Sequence, residues 1–440
     1  MSGLALIGYL MIFSLMVIII TKKMSAFSAL ILIPLVFGII ACIYNGENPF
    51  VLGSYISDGI AGIVGTFTTV LFAITYFGLM FAAGLFDPIV DKIVKVVHGD
   101  PLRVLVGTAA MAMLVALDGD GSTTYIICAT ALVPIYDLLK IKKLYLCCLM
   151  ILSACIMDMM PWGGPTVRAM VTCGLTSDVM FRSLLPSMIC GALYVLALAA
   201  YFGIKERKRL GIIDVSGSQG SYEFRRQLSE DELSQRRPKL WAFNLILTLA
   251  LMVLLVAGLL SANVTFAIGC GITLVVNWHD SGMQMKLVKT KGHEYVTTLA
   301  MMASAAVLVG IMSGTGISDA IAHHLSELIP EALGNHFPAL LALISLPGDW
   351  FLSVDSFYYG VLPILSEAGY AYGFTSVNIA IASIMGQAIH MCSPLVGSFY
   401  VALNLTGQDM ISVQKIVVRW GLGLFVAFCI GAVATGAFPL

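Results

Sequence analysis

The chain has 440 residues, of which 59% are hydrophobic and only 11% charged, with a net charge of −1. A soluble domain carries about 25% charged residues, so this chain cannot coat its own surface against water, and its medium is lipid. The charge balance excludes the basic footprint of a nucleic-acid partner. The ten cysteines lie in apolar stretches with no CxxC or Cys/His cluster, and read as small buried hydrophobes.

A helical span needs about 20 apolar residues. From the N-terminus, such runs fall at 3–20 and 25–44. The first has no basic region ahead of it, so it is expected to stay as a span and not to be cleaved as a signal. A charged segment near 50–62, expected to be an interfacial helix or loop, leads to the run 64–86. Residues 101–138 hold two short apolar segments around a polar tip, the pattern of a re-entrant hairpin. The interrupted stretch 142–175 and the run 184–204 follow. Residues 205–239 are the one long polar segment and are expected to tether two halves. Beyond it come 240–260, 262–278 and 295–316, a charged segment near 319–334, a second hairpin near 337–366, an interrupted stretch 376–404 and a last run at 416–438.

With the N-terminus outside, the cytoplasmic side receives Lys22, Lys23, Lys92, Lys95, Arg103, Lys140, Lys142 and Lys143. It also receives the nine bases from Lys205 to Lys239, and Lys286, Lys289, Lys291, Lys415 and Arg419. That is 22 of the 24 Lys and Arg, the bias that orients membrane proteins. The layout has ten spans, two hairpins and both termini outside. The expected fold is therefore all-α and polytopic: a first repeat at 1–204, a cytoplasmic linker at 205–239 and a second repeat at 240–440. Each repeat has five spans and one hairpin. Because five is odd, the second repeat enters the bilayer upside down, the architecture of secondary transporters. A shift of 229 residues lays Leu117, Gly119 and Asp120 on Leu346, Gly348 and Asp349, Pro134-Ile135 on Pro363-Ile364, and Pro165 on Pro394. Gly84-Leu-Phe-Asp87 resembles Gly316-Ile-Ser-Asp319, three residues out of that register.

Polar breaks at membrane depth are tolerated only around a cavity, and helix N-termini there attract anions. Four such elements stand out. The first hairpin tip is Asp118-Gly119-Asp120-Gly121-Ser122-Thr123-Thr124. The first broken span holds Asp158 and then Pro161-Trp162-Gly163-Gly164-Pro165-Thr166-Val167-Arg168. The second hairpin tip runs from Pro347 through Asp349, Ser353, Val354 and Asp355 to Ser356. The second broken span runs Gly386-Gln387-Ala388-Ile389-His390-Met391-Cys392-Ser393-Pro394. Arg168 is the one cation at membrane depth. Such a charge is a functional hypothesis by default, and its fork suits a carboxylate; the alternative is a structural pair with Asp158 or another acid. His390 is either a carrier of a coupling proton or a hydrogen-bonded structural residue. Asp118, Asp120, Asp349 and Asp355 add negative charge that Arg168 alone does not balance. A small anionic substrate would therefore enter with cations or onto protonated aspartates, and both options imply cation coupling. Met157, Met159, Met160, Tyr358 and Tyr359 read as packing.

At these elements the chain resembles the CitMHS family of citrate–divalent-metal/proton symporters, within the ion transporter superfamily. The carrying stretches are LDGDGSTTY at 117–125, PWGGPTVRA at 161–169, SVDSFYYGVLP at 353–363 and GQAIHMCSPLV at 386–396, and the likeness runs over most of the chain. The resemblance implies uptake of citrate as a complex with Mg2+ or Ca2+, driven by protons. It also implies a homodimer whose transport domain slides like an elevator against a scaffold holding the spans near 3–44 and 240–278. Two positions depart from the family pattern. Val354 stands where the family has Asn, and Ala388-Ile389 where it has Pro-Val, which puts the identity of substrate and coupling ion in question.

The sequence thus points to a cation-coupled symporter for citrate or a related di- or tricarboxylate, with the lipid bilayer as its solvent and no cofactor of its own. Arg168, Ser122, Thr123, Ser353 and Ser393 are expected to contact substrate carboxylates, with Gly163, Gly164, Thr166, Gln387 and His390 around them. Asp118, Asp120, Asp158, Asp349 and Asp355 are expected to hold the cation or proton, with a substrate-borne metal near Asp118, Asp120 and Asp355. An antiporter or an arsenite-type oxyanion permease on the same fold is the alternative. An enzyme is disfavoured, because no nucleophile–base pair or HExxH spacing occurs.

Overall fold

The computed structural model describes residues 2–21, 23–88, 100–119, 121–212, 229–328 and 334–438. The middle of the linker at 213–228, the bases Lys22, Lys92 and Lys95, and residues 329–333 of the charged segment near 319–334 lie outside the described residues. Those described form helices and connecting turns, with no strand among them.

The first half is built of α1 (Gly3–Ile20), α2 (Ala26–Asn45), α3 (Leu52–Ala83), α4 (Pro101–Val115), α5 (Gly121–Leu138), α6 (Lys143–Met157), α7 (Gly164–Cys173) and α8 (Ser177–Leu210). A short linker helix, α9 (Glu230–Gln235), is closed by a capping box between Ser229 and Glu232. The second half is α10 (Trp241–Ala257), α11 (Ala262–Asn277), α12 (Ser281–Gly314), α13 (Ile317–Leu328), α14 (Phe337–Phe351), α15 (Leu362–Ala371), α16 (Ser376–Ile384), α17 (Gln387–His390), α18 (Gly397–Thr406) and α19 (Met410–Ala434). The order of long helices, hairpin, broken helix and closing helix recurs in the two halves.

Among the described residues, six helices are long and apolar enough to cross a membrane: Ala26–Asn45, Pro49–Ala83, Ser177–Leu210, Glu230–Ala257, Val296–Gly314 and Met410–Ala434. Their outward faces carry Val36, Ile43, Ile246, Val253 and Ile430, each more than half exposed. An apolar girdle of this kind needs lipid around it.

One boundary differs from the sequence reading. Residues 50–62 are not a separate interfacial element. A single 3-10 turn at Pro49–Val51 opens directly into α3, and 32 residues run unbroken to Ala83. Ser54, Ser57 and Asp58 look like a loop because they are polar, but they decorate the end of a helix longer than the bilayer is thick. The helix α12 likewise begins at Ser281, well before the apolar run near 295, and covers 34 residues.

The helices α3 and α12 lie side by side and antiparallel. Near one end Gly59 and Gly310 bring the two backbones together, a Cβ on Gly59 falling 2.3 Å from the Ala306 carbonyl oxygen. At the other end Leu79 and Ala83 pack with Leu287 and Trp278. Backbone contact through small residues is a favoured mode of helix association in lipid.

Most of the described basic side chains gather at one end of the bundle, where several fasten helix termini. Arg207 Nε donates to Asp100 Oδ1 at 2.9 Å, and Arg209 to the Lys140 carbonyl at 2.8 Å. Arg236 Nε pairs with Asp87 at 3.0 Å, and Arg237 Nε donates to the Asn277 carbonyl at 2.6 Å. Asp100, which caps α4 through the Leu102 N–H, has its carboxyl held below the usual carboxylate range, chiefly by Arg207. At the opposite end the ties are of a different kind. Asp178 accepts the Ala262 N–H at 2.7 Å, and Asn45 donates to the Thr315 carbonyl at 3.0 Å.

Candidate functional site

The four polar elements singled out in the sequence come together. The first hairpin turns after α4 through a 3-10 turn at Ala116–Asp118 and then Gly119, whose φ of +81° an L side chain rarely adopts. The helix α5 restarts at Gly121. A Cβ there would sit 3.0 Å from Met391 and from Ser398, so this tip abuts the second broken span. Ser122 and Thr123, in the first turn of α5, are half-buried. The side chain of Asp118 and all of Asp120 lie outside the described residues.

The first break follows from its prolines and glycines. The helix α6 stops at Asp158, a buried residue whose backbone oxygen accepts the Thr166 hydroxyl at 3.3 Å. The chain folds back so tightly that a Cβ on Gly163 would lie 2.0 Å from the same oxygen, and only glycine fits. Trp162 Nε1 donates to the Leu117 carbonyl at 2.9 Å, fixing the break against the first hairpin tip. The helix α7 then begins at Gly164 and carries Arg168 one turn in.

Arg168 reaches across to the second half. Its Nε donates to Asp355 Oδ1 at 2.7 Å and one terminal nitrogen donates to the Gly164 carbonyl at 2.8 Å. The side chains are 16% and 25% exposed, so the pair is shielded yet open on one side. Of the two readings left by the sequence, the arginine does pair with an acid, and that acid is Asp355, 187 residues away. Asp355 directly precedes a short π-helical stretch, Ser356–Val361; such windings recur at functional sites. Ser353 lies just ahead of it, its Oγ accepting the Ser356 N–H at 3.2 Å and lying 2.8 Å from the Ser356 Oγ. Val354 is half-buried beside them.

A second group lies deeper. Asp349 is fully buried, with Oδ2 3.4 Å from the Tyr358 hydroxyl and Oδ1 without a hydrogen-bond partner among the described residues. Gln387 Nε2 donates to that hydroxyl at 3.1 Å while its own Oε1 has no partner among the described residues. His390 Nδ1 lies 2.7 Å from the Asp349 backbone oxygen, a hydrogen-bonded position within the fold. Ser393 Oγ donates to the Trp350 carbonyl at 2.7 Å. Gly386, packed against Ser345, gives its N–H to the Ser345 Oγ at 2.9 Å, and Ala388 is buried behind it.

Tyr358, read from the sequence as packing, is the hub of this group, since its hydroxyl also donates to the Ser383 carbonyl at 3.2 Å. Tyr125 and Tyr359 are buried with hydroxyls that have no partner among the described residues. The signal was available: a tyrosine hydroxyl in an apolar span usually finds a polar partner, as that of Tyr358 does. Among the described residues no three His, Cys, Asp or Glu side chains gather as a metal cage would require. The arrangement offers an open cation–anion pair beside a buried, partly unsatisfied carboxyl network.

A family model described as "Citrate transporter" (CitMHS) matches residues 15–386. The chain is 39% identical over 433 residues to a citrate transporter of Bacillus subtilis (strain 168), covering 98% of this chain and 99% of the relative. It is 40% identical over 437 residues to the Mg(2+)/citrate complex secondary transporter of the same organism, covering 99% of each. Among solved structures, the Alcanivorax borkumensis YdaH transporter matches with a TM-score of 0.55 at 15% identity, over 88% of this chain and 87% of that one. Neisseria gonorrhoeae MtrF matches with a TM-score of 0.53 at 14% identity, over 87% and 84%. These two likenesses are of fold.

Proposed function

The chain belongs to the CitMHS citrate transporter family, and from that premise we propose that it is a secondary active symporter importing citrate as a complex with a divalent metal, driven by a proton or other cation gradient. The Arg168–Asp355 pair carries this reading. It presents a positive and a negative group side by side, each with an open valence. Free citrate, a trianion, would gain from Arg168 and be repelled by Asp355. A metal–citrate complex offers a carboxylate to the one and a metal to the other. The relative that transports the Mg2+/citrate complex points the same way.

The remaining roles follow. Ser122, Thr123 and the N-terminus of α7 at Gly163, Gly164 and Thr166 face the carboxylates of the cargo, with Ser353 and Ser393 on the opposite side. Asp118, Asp120 and Asp158 add to the cation-binding side. Asp349 takes the coupling proton. A buried carboxylate is costly to leave charged, and Asp349 Oδ1 has no hydrogen-bond partner among the described residues. His390 orients Asp349 through its backbone.

The two halves are inverted repeats around this site, and the antiparallel run of α3 and α12 supports that reading. The basic end of the bundle is cytoplasmic, so linker 205–239 lies inside and both termini outside. The protein works as a homodimer, with hairpins and broken helices moving as one body against a frame. Uptake of radiolabelled citrate into proteoliposomes, with and without Mg2+, Ca2+, Na+ and a proton gradient, tests the proposal. Metal-stimulated, gradient-driven uptake is expected, abolished by Arg168→Gln; metal-independent uptake, or normal uptake by that variant, overturns it. Efflux without uptake would favour the alternative, an antiporter or an arsenite-type oxyanion permease.

A further inference from the structure

At the basic end of the bundle, α8, α19 and the start of α6 enclose a groove of about 400 Å3. Its floor is aromatic: Tyr145 stacks on Phe202 with ring centroids 4.3 Å apart, and Phe202 meets Trp420 edge-on at 5.5 Å. Its rim carries Lys205, Lys415 and Arg419, all exposed. Among the described residues none of the three pairs with an acid. Arg419 lies over the Trp420 ring at 5.8 Å. The nearest acids in sequence are engaged elsewhere, Glu206 with Arg209 and Asp409 with the Ser412 N–H that it caps.

The groove does not end at its charges. On α19 the face bearing Lys415 and Arg419 continues as Leu422, Val426 and Ile430, at spacings of three and four. On α8 the face bearing Lys205 continues toward the other leaflet as Ile204, Tyr201, Leu193 and Ile189. These seven side chains are between 47% and 63% exposed. The seam between the two stripes is sealed by Tyr194, whose hydroxyl donates to the Trp420 carbonyl at 2.8 Å, and by Ser187, which donates to the Phe428 carbonyl at 2.9 Å. Cations at one end, an aromatic shelf beneath them and two apolar rails match the shape of one phospholipid with an anionic headgroup. Basic pockets between spans on the cytoplasmic side recognise such headgroups.

We propose that this groove is a selective site for an anionic phospholipid of the cytoplasmic leaflet, with the phosphate at Lys205, Lys415 and Arg419 and the acyl chains along the stripes of α8 and α19. The full chain in nanodiscs reports occupancy through Trp420, whose emission is isolated by subtracting the signal of Trp420→Phe. Brominated-chain phosphatidylglycerol is expected to quench Trp420 at a several-fold lower mole fraction than brominated phosphatidylcholine. A Lys205→Gln, Lys415→Gln, Arg419→Gln variant is expected to lose that preference, and Lys205→Arg with Lys415→Arg to keep it. Arg419→Gln alone, which spares most of the charge that orients the chain, is expected to lose at least half. Equal quenching by the two lipids, or an unchanged preference in both glutamine variants, overturns the site. Loss of the preference on adding millimolar inorganic phosphate would assign the cations to a free anion and overturn the lipid.

Discussion

Asp355→Asn is the most informative perturbation of the proposed site. The substitution keeps size and hydrogen bonding and removes one charge. Arg168 spans a few ångströms, so a citrate carboxylate seated on its free nitrogen lies about 5 Å from the Asp355 carboxylate. Two unit charges at that distance, in the effective dielectric of a half-shielded site, interact by about 3 kcal/mol. That corresponds to roughly a hundredfold in affinity. A divalent metal bound to the citrate cancels most of this repulsion, and Asp355 can ligate it. Wild-type protein should therefore favour the metal complex strongly. Asp355→Asn should bind free citrate at least tenfold more tightly while losing affinity for the complex. The ratio of citrate Kd with and without Mg2+, measured by scintillation proximity on purified protein, reads this directly. An unchanged ratio in Asp355→Asn would refute the reasoning, because Asp355 would then serve only to hold Arg168. Arg168→Gln separates the two roles, since it should weaken both forms of citrate.

Three further outcomes follow from the packing. Gly163→Ala forces a Cβ onto the Asp158 backbone oxygen, so uptake should be lost and the thermal midpoint should fall, at a cost of about 3 kcal/mol or more. Asn244 and Asn277 exchange amide hydrogen bonds at 2.9 Å in both directions within the buried contact of α10 and α11. Asn244→Leu leaves the Asn277 amide oxygen without its donor, while the Asn277 amide nitrogen keeps the Thr273 carbonyl at 3.0 Å, and should cost about 1–3 kcal/mol, whereas the double leucine variant should recover part of the loss in the same melting assay. Asp100 lies at the foot of the first hairpin with its carboxyl held below the ordinary value by Arg207. Its contribution to stability is present above the unfolded value of about 3.9 and is lost as pH falls through the depressed folded value. The melting temperature of the wild type should thus drop below about pH 4 more steeply than that of Asp100→Asn, and parallel curves would remove Asp100 from the account.

Much of the architecture was legible because glycine, proline and aspartate punctuate a nearly uniform apolar sequence. The tip Asp118–Thr124 and the break Pro161–Pro165 stand out because each clusters turn-forming residues within a largely apolar stretch. The likeness of Gly84-Leu-Phe-Asp87 to Gly316-Ile-Ser-Asp319 has a structural counterpart, because both glycines follow the last turn of a long antiparallel helix with φ of +81° and +73°. Asp58 misled for a physical reason: a charge marks a membrane boundary, and a boundary can fall inside a helix as well as at its end. The Arg168–Asp355 pair was half legible. A lone intramembrane cation announces itself, but a partner 187 residues away is chosen by folding and not by spacing. Tyr358 was not legible, because an aromatic in an apolar run reads as bulk and its hydroxyl finds its partners only through the fold.

The placement of the pair also bears on movement. Arg168 belongs to the first half and Asp355 to the second, and Thr172 adds a second bridge, its hydroxyl donating to the Tyr358 carbonyl at 2.9 Å. Break and hairpin of opposite halves are thus tied by polar bonds that survive only if they travel together. Their contacts with α1 and α12 are of another kind. Met16 of α1 sits over Gly360, where a Cβ would come within 2.7 Å, and α12 packs along α7. An apolar contact of a flexible methionine over a glycine has no hydrogen bond to break when it slides. If the cargo site moves as a body, as proposed, the low-friction boundary lies along Met16 and Gly360. Gly360→Val, which would lock a branched side chain against Met16, should then slow transport while leaving citrate affinity unchanged. A variant impaired in affinity but not in rate would place the moving boundary elsewhere.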